Sequence, residues 1–175
     1  NLFFLFGLIE RDESGDWKYR DWWAHDPAEE GEAVEKLISH LTERHRRYPG
    51  MHVYHYNHTE RTALQDLTSR HGVGEAALGR MIQSEVFVDL LTVTRNAIQV
   101  GAETYSLKAI ERLTDYQRSH VIDQGAGAVV TYEKYMSDHK QADLDAIAAY
   151  NEDDVRATRA VRDWLVDHRP AGLPW

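Results

Sequence analysis

The chain has 175 residues, of which 42% are hydrophobic and 28% are charged, a balance typical of one globular domain with a hydrophobic core. It contains no cysteine, which excludes disulfides and thiolate metal sites, and the net charge of −9 argues against a surface that is basic throughout. No run of about 18 apolar residues occurs, so we expect no membrane span. The lack of cysteine fits a cytoplasmic protein.

The first part of the chain predicts a β-hairpin, then a helix, a strand and a second helix. The predicted elements are strands at about 2–10 and 17–24, a helix at 27–47, a strand at 51–56 and a helix at 58–71. Pro27 and the acidic residues after it are typical of a helix start, and Pro49-Gly50 ends the helix.

The second part is mainly helical. The predicted elements are a helical piece leading into 86–97, a short helix at 105–111, a loop at 125–127 and helices at about 130–138 and 143–168. The whole order indicates a single α/β domain over residues 1–175. Because a hairpin alone is a thin sheet and the chain opens inside an apolar strand, we expect a preceding strand to be missing and the chain to be a fragment.

An acidic residue interrupts the apolar face of the last helix. Helical spacing places Ile147, Thr158, Val161 and Leu165 on one inward stripe. At about 100° per residue Asp154 falls inside that stripe and Tyr150 beside it, whereas Asp153 points away. A carboxylate on the inward side of a helix is costly unless it is paired or binds a cation.

The helix predicted at 58–71 has the same feature. Glu60 shares a helical face with three apolar residues, Ala63, Leu64 and Leu67. Two inward carboxylates from separate helices suggest a shared site for a hard metal ion.

Four runs in this order resemble a known superfamily: 52-HVYHYNHTERTAL-64, 86-VFVDLLTVTR-95, 105-YSLKAIE-111 and 149-AYNEDDVRAT-158. They are similar to the RNase H-like 3′–5′ exonucleases of the DEDD type and, more narrowly, to the RNase H-like C-terminal domain of RecB-family nucleases. The runs 3-FFLFGLI-9 and 22-WWAHDPAEEGEAVEKLISHL-41 also fit. The resemblance implies a three-layer α/β fold with a mixed central sheet and flanking helices.

The resemblance also implies a two-metal reaction, in which four carboxylates hold two Mg²⁺ or Mn²⁺ ions. Tyr150 and Asp154 match the Tyr-x-x-x-Asp motif, so Tyr150 would orient the attacking water and Asp154 would bind metal. Glu60 stands where the second motif usually has Asp, and it would be the other metal ligand.

The first motif of the family, Asp-x-Glu, departs from this pattern. It belongs on a strand upstream of the hairpin, whereas Asp12 and Glu13 lie in the hairpin turn. The resemblance therefore implies that the fragment is weakly active or inactive unless the parent protein supplies that motif.

Each catalytic candidate also has a structural interpretation. Asp154 could pair with an arginine such as Arg95 or Arg162, and Tyr150 could be an aromatic residue at the core edge. Glu60 lies three residues after Asn57, which is a capping-box pattern.

Two further residues have two interpretations each. Asp89 could support the metal site or cap the following helix. Lys108 could reach a phosphate or be a surface lysine.

Other polar and aromatic groups favour structural roles. The basic group at 44–47 suits a helix C-terminus, although it is also a phosphate candidate. His52, His55 and His58 span a strand-to-helix junction and are not expected to bind metal together. In the pair Trp22-Trp23 one side chain is expected to face the core.

The sequence thus predicts a metal-dependent nuclease that hydrolyses phosphodiester bonds, 3′–5′ and on single-stranded DNA or RNA, alongside other nuclease or helicase domains of its parent. One alternative is a non-catalytic module that docks nucleic acid or such a domain. Another is an oligomerising domain that uses the hairpin edge at residues 2–24.

Overall fold

The computed structural model describes residues 2–119 and 125–173. The strands are β1 Leu5–Arg11, β2 Trp17–Trp23, β3 Val53–His55 and β4 Phe87–Asp89. The helices are α1 Pro27–Arg47, α2 Thr59–His71, α3 Glu75–Gln83, α4 Leu90–Ala97, α5 Leu107–Ile110, α6 Gly125–Asp138 and α7 Gln141–Asp167, with a 3₁₀ turn at Glu111–Leu113. The predicted α/β class is confirmed.

The strands form two small sheets. β1 and β2 pair antiparallel from Leu5 opposite Trp23 to Arg11 opposite Trp17, whereas β3 and β4 pair parallel. The expected mixed sheet is therefore present as two separate pairs among the described residues. Among the described residues β1 pairs with β2 and β3 pairs with β4, and residues of both β1 and β3 line the same cleft.

Helices cover both faces of the β1–β2 hairpin. Alternation along β1 directs Phe6 and Leu8 to a core cluster built on α1, and Leu5 to a second cluster on α6 and α7. Trp22 and Trp23 follow the same rule, since Trp22 packs on the first cluster and Trp23 on the second. Both tryptophans are thus packing residues, where only one was expected to be.

Helix α1 follows its sequence signals closely. Asp26 caps its start by accepting from Ala28 N at 2.8 Å and from Glu29 N at 2.9 Å, and Pro27 takes the first helical position. The inward residues Val34, Leu37, Ile38 and Leu41 recur at helical spacing and pack against α2 and α3. This interface is the largest buried apolar cluster.

Two segments differ from the prediction. Residues 87–89 form β4, whereas the prediction had a helical piece leading into 86–97 and named no strand there, because a short apolar run suits a buried strand and a helix equally. The loop expected at 125–127 is the first turn of α6, whose described part begins at Gly125.

Helix α7 packs against β1. Tyr19 OH donates to Asn151 Oδ1 at 2.9 Å, and a Cβ at Gly7 would overlap the same oxygen. The Asn151 side chain of α7 therefore lies directly against β1 at Gly7. No helix in the described ranges is long and apolar enough to cross a membrane.

Candidate active site

A cleft of about 1270 Å³ lies between the two sheets. Its walls come from β1, β3, the start of α2, the region of α5 and one face of α7. Four of the five predicted site residues line it, namely Glu60, Lys108, Tyr150 and Asp154. Elements that are far apart in sequence thus bring these side chains to one opening.

Asp154 lies on the cleft face of α7, and 35% of its side chain is exposed. Its Oδ1 accepts a hydrogen bond from Arg118 Nη1 at 2.7 Å. Burial raises the pKa of Asp154, and the guanidinium of Arg118 offsets only part of this effect. An arginine pair was foreseen as an alternative for Asp154, but Arg118 is the partner rather than Arg95 or Arg162.

Asp153 corrects the sequence prediction. It was expected to point away from the core, yet it is 3% exposed. Its carboxylate accepts from Tyr116 OH and, at 3.1 Å, from Ser119 N. The segment 114–119 packs on this side of α7, and helical periodicity within 143–165 carries no information about that contact.

Glu60 lies in the first turn of α2 and faces the same cleft. Its pKa is raised to about 7, mainly by desolvation and also by the negative charges of Asp89 and Asp154. The side chain is 56% exposed, so water in the cleft screens part of this effect. Desolvation is therefore the main cause of the shift, and the charge of Asp154 is a smaller one.

The capping box proposed for Glu60 is not formed. Asn57 N donates instead to Asp89 Oδ1 at 2.9 Å, and the residue at the N-cap of α2 is His58, whose side chain makes no capping bond. The backbone at Asn57 is left-handed, with φ of 84°, which turns the chain sharply from β3 into α2.

Asp89 is the cap of α4. It accepts from Leu91 N at 2.9 Å and from Thr92 Oγ1 at 3.0 Å. Burial opposes its ionisation, but the bonds from Asn57 N, Thr92 and Leu91 N outweigh burial and lower its pKa. Asp89 is absent from the cleft lining and acts on the site as a nearby charge and as the anchor of Asn57.

Tyr150 and Lys108 meet at the edge of the site. Lys108 Nζ lies 5.9 Å from the centroid of the Tyr150 ring, within cation–π range. Burial raises the pKa of Tyr150, and the charge of Asp154 one turn away adds to the shift. Tyr150 therefore stays a neutral phenol that can donate or accept a hydrogen bond next to Asp154.

Two charged residues at the site were not predicted. Arg118 donates from Nε and Nη2 to the two carboxylate oxygens of Glu111, each at 2.7 Å. Glu111 belongs to the run 105–111 and could have been found there. Arg118 has no signal in the sequence, because its segment shows no motif or periodicity.

The three arginines of the basic group at 44–47 contact other protein groups. Arg44 contacts Glu10 and Arg11 O, Arg46 pairs with Glu43 and Arg47 pairs with Glu13. His52, His55 and His58 form no metal cluster within residues 2–119 and 125–173. Those basic side chains are thus engaged at the C-terminus of α1.

The donors in the cleft suit a hard divalent cation. Glu60 and Asp154 offer carboxylate oxygens, the ligand type that Mg²⁺ and Mn²⁺ prefer. Within the part of the chain that the structure describes, no group of three or more histidine or acidic side chains could hold a metal. The donor chemistry of these two residues thus fits a hard divalent cation, and they supply fewer than three candidate ligands.

Comparison with known proteins identifies the family. A family model of the RNase H superfamily matches residues 1–166, so the chain belongs to this superfamily. No curated protein and no solved structure matches the chain. Membership confirms the RNase H-like part of the resemblance and indicates nuclease-type activity on nucleic acid.

Proposed function

We propose that this member of the RNase H superfamily is a divalent-metal-dependent 3′–5′ exonuclease that acts on single-stranded DNA or RNA. The proposal is supported chiefly by one observation: Glu60 and Asp154, from two helices, line one cleft, where burial and the charges of Asp89 and Asp154 raise the pKa of Glu60. Glu60 Oε2 lies 3.8 Å from His55 Nδ1, and Asp154 pairs with Arg118. A divalent cation bound by both carboxylates would offset the cost of placing like charges in a partly desolvated cleft.

Each residue has a distinct role in this proposal. Asp154 and Glu60 would hold Mg²⁺ or Mn²⁺, which when bound supplies hydroxide and stabilises charge at phosphorus. Tyr150 lies one helical turn from Asp154, where its hydroxyl can orient a water. Lys108 stands beside Tyr150 and can neutralise a phosphate as a point charge.

A second candidate function is a non-catalytic module that docks nucleic acid or a neighbouring nuclease or helicase domain. Two observations favour it: Glu60 replaces the usual aspartate, and the described residues supply fewer than three clustered ligands. On this view the cleft binds a strand without cutting it.

The deciding experiment measures cleavage of an end-labelled single strand by this protein in the presence of Mn²⁺. Asp154→Asn should lower the rate by about 100-fold or more, since it removes a charged metal ligand without changing shape. Asp145→Asn is the matched control, because Asp145 lies on α7 but is exposed and outside the cleft. The position of the label that is released reports polarity.

Equal cleavage by wild type and Asp154→Asn would refute the metal role of Asp154. Binding of the strand by both proteins without any cleavage would favour the docking module.

A further inference from the structure

Arg118 forms one ion pair with Asp154 and another with Glu111. Its three guanidinium nitrogens each lie 2.7 Å from a carboxylate oxygen, two of them on Glu111 and one on Asp154. The side chains are 17% exposed for Arg118 and 11% for Glu111. The contact is therefore partly protected from water and is stronger than a surface ion pair.

Glu111 and Asp154 bind different nitrogens of the Arg118 guanidinium. Glu111 takes the Nε–Nη2 edge in a bidentate pair, which fixes the plane and direction of the guanidinium. Only Nη1 remains for Asp154, in a single bond. Glu111 thus aims Arg118 at Asp154, while the bond to Asp154 can break without releasing Arg118 from Glu111.

We propose that Arg118, aimed by Glu111, competes with the divalent cation for Asp154 and so sets the affinity of the site for metal. The inference rests on the proposed function, because it takes Asp154 as a metal ligand. Asp154 Oδ1, held by the guanidinium, is one of the oxygens that a metal would need, and a hard cation and an N–H donor approach a carboxylate oxygen along the same lone pairs. Arg118 is a positioning residue in this scheme and not a catalytic one.

The charges around Asp154 explain why this competition matters. Besides burial, the charge of Glu111 raises the pKa of Asp154, whereas Arg118 and, less strongly, Lys108 lower it. The bidentate pair with Glu111 would keep Arg118 beside the site if a metal displaced it from Asp154. Metal loading should therefore be more favourable when the charge of Arg118 is removed.

The test is a Mn²⁺ titration of the full chain, with free Mn²⁺ followed by electron paramagnetic resonance. Arg118→Gln should bind Mn²⁺ about five-fold more tightly than wild type, the factor expected for loss of one partly screened ion pair. Arg118→Lys keeps the positive charge but loses the planar guanidinium that binds Glu111 through two nitrogens, and its affinity for Mn²⁺ should be intermediate. Arg112→Gln is the matched control, since Arg112 is an exposed neighbour in the 3₁₀ turn.

The outcomes separate this proposal from the nuclease proposal. Equal Mn²⁺ affinity for wild type, Arg118→Gln and Arg118→Lys, with unchanged thermal unfolding, would overturn the competition and leave the metal site intact. A gain that appears equally in Arg112→Gln would reduce the effect to general charge and also overturn it. Absence of Mn²⁺ binding to every variant, Arg118→Gln included, would overturn both proposals together.

Discussion

The interface of α1 and the cleft face of α7 both place an acidic side chain inward, with opposite consequences. On α1, Glu30 is 2% exposed and fully engaged: Oε2 lies 2.7 Å from His71 Nε2, and Oε1 accepts from Phe3 N at 2.6 Å. On α7, Asp154 is 35% exposed, with one hydrogen bond from Arg118 and other carboxylates nearby.

The difference teaches how to distinguish a structural acid from a functional one. Glu30 ties the start of the hairpin to the end of α2, and protein donors satisfy both of its oxygens. Asp154 lines an open cleft together with Glu60 and pairs with Arg118 there, which is the setting in which we propose a metal ion. Inward position alone is shared by both residues; only the set of partners separates them.

The largest effect on stability is expected at Glu30, whose two carboxylate oxygens both have protein partners. Glu30→Ala should lower the free energy of unfolding by about 3 kcal/mol, because it leaves His71 and Phe3 N without their buried partner. Urea denaturation measures the change. Glu32→Ala is the control, since Glu32 is exposed and should shift stability by less than about 0.5 kcal/mol. Equal effects for the two variants would mean that Glu30 is no anchor.

A smaller effect on stability is expected at Asp153, which is next to Asp154 on α7. Asp153→Ala should cost about 2 kcal/mol, since it strips the partners from Tyr116 OH and Ser119 N. Asp154→Asn should change stability by less than about 1 kcal/mol, because its pair with Arg118 is partly exposed. Denaturant midpoints of the two variants compare them directly, and the reverse order would contradict the assignment.

The smallest effect is a pH dependence at Glu60. Its pKa is about 7 in the folded chain against an ordinary 4.5, so the folded state holds the proton more tightly than the unfolded state. Ionisation therefore opposes folding, and this cost grows as pH rises from about 4.5 to about 7 and is constant above. Glu60→Gln removes it, so the variant should gain stability relative to wild type across that window.

Paired urea melts of wild type and Glu60→Gln at pH 4.5, 6 and 8 measure this gain. The side chain is 56% exposed, which keeps the effect small. A difference between the two proteins that stays flat with pH would show that the Glu60 carboxylate titrates normally.

Local signals were sufficient for much of the fold. The cap at Asp26 with Pro27 predicted the start of α1, and strand alternation predicted the hairpin within a few residues. Local signals were insufficient to predict the secondary structure of a short segment that is fixed by pairing with a distant strand. Phe87–Asp89 is a strand because it pairs with β3, and three apolar-flanked residues alone do not distinguish a strand from a helical turn.

By itself the sequence determined the α/β class, the main helices and the candidate acids, because caps, breaks and apolar periodicity are properties of contiguous residues. Only the tertiary structure decided that Asp153 is the buried acid of α7 and that Arg118, aimed by Glu111, neutralises Asp154. These outcomes depend on where the segment 114–119 packs, and that position follows from long-range contacts which no helical period encodes.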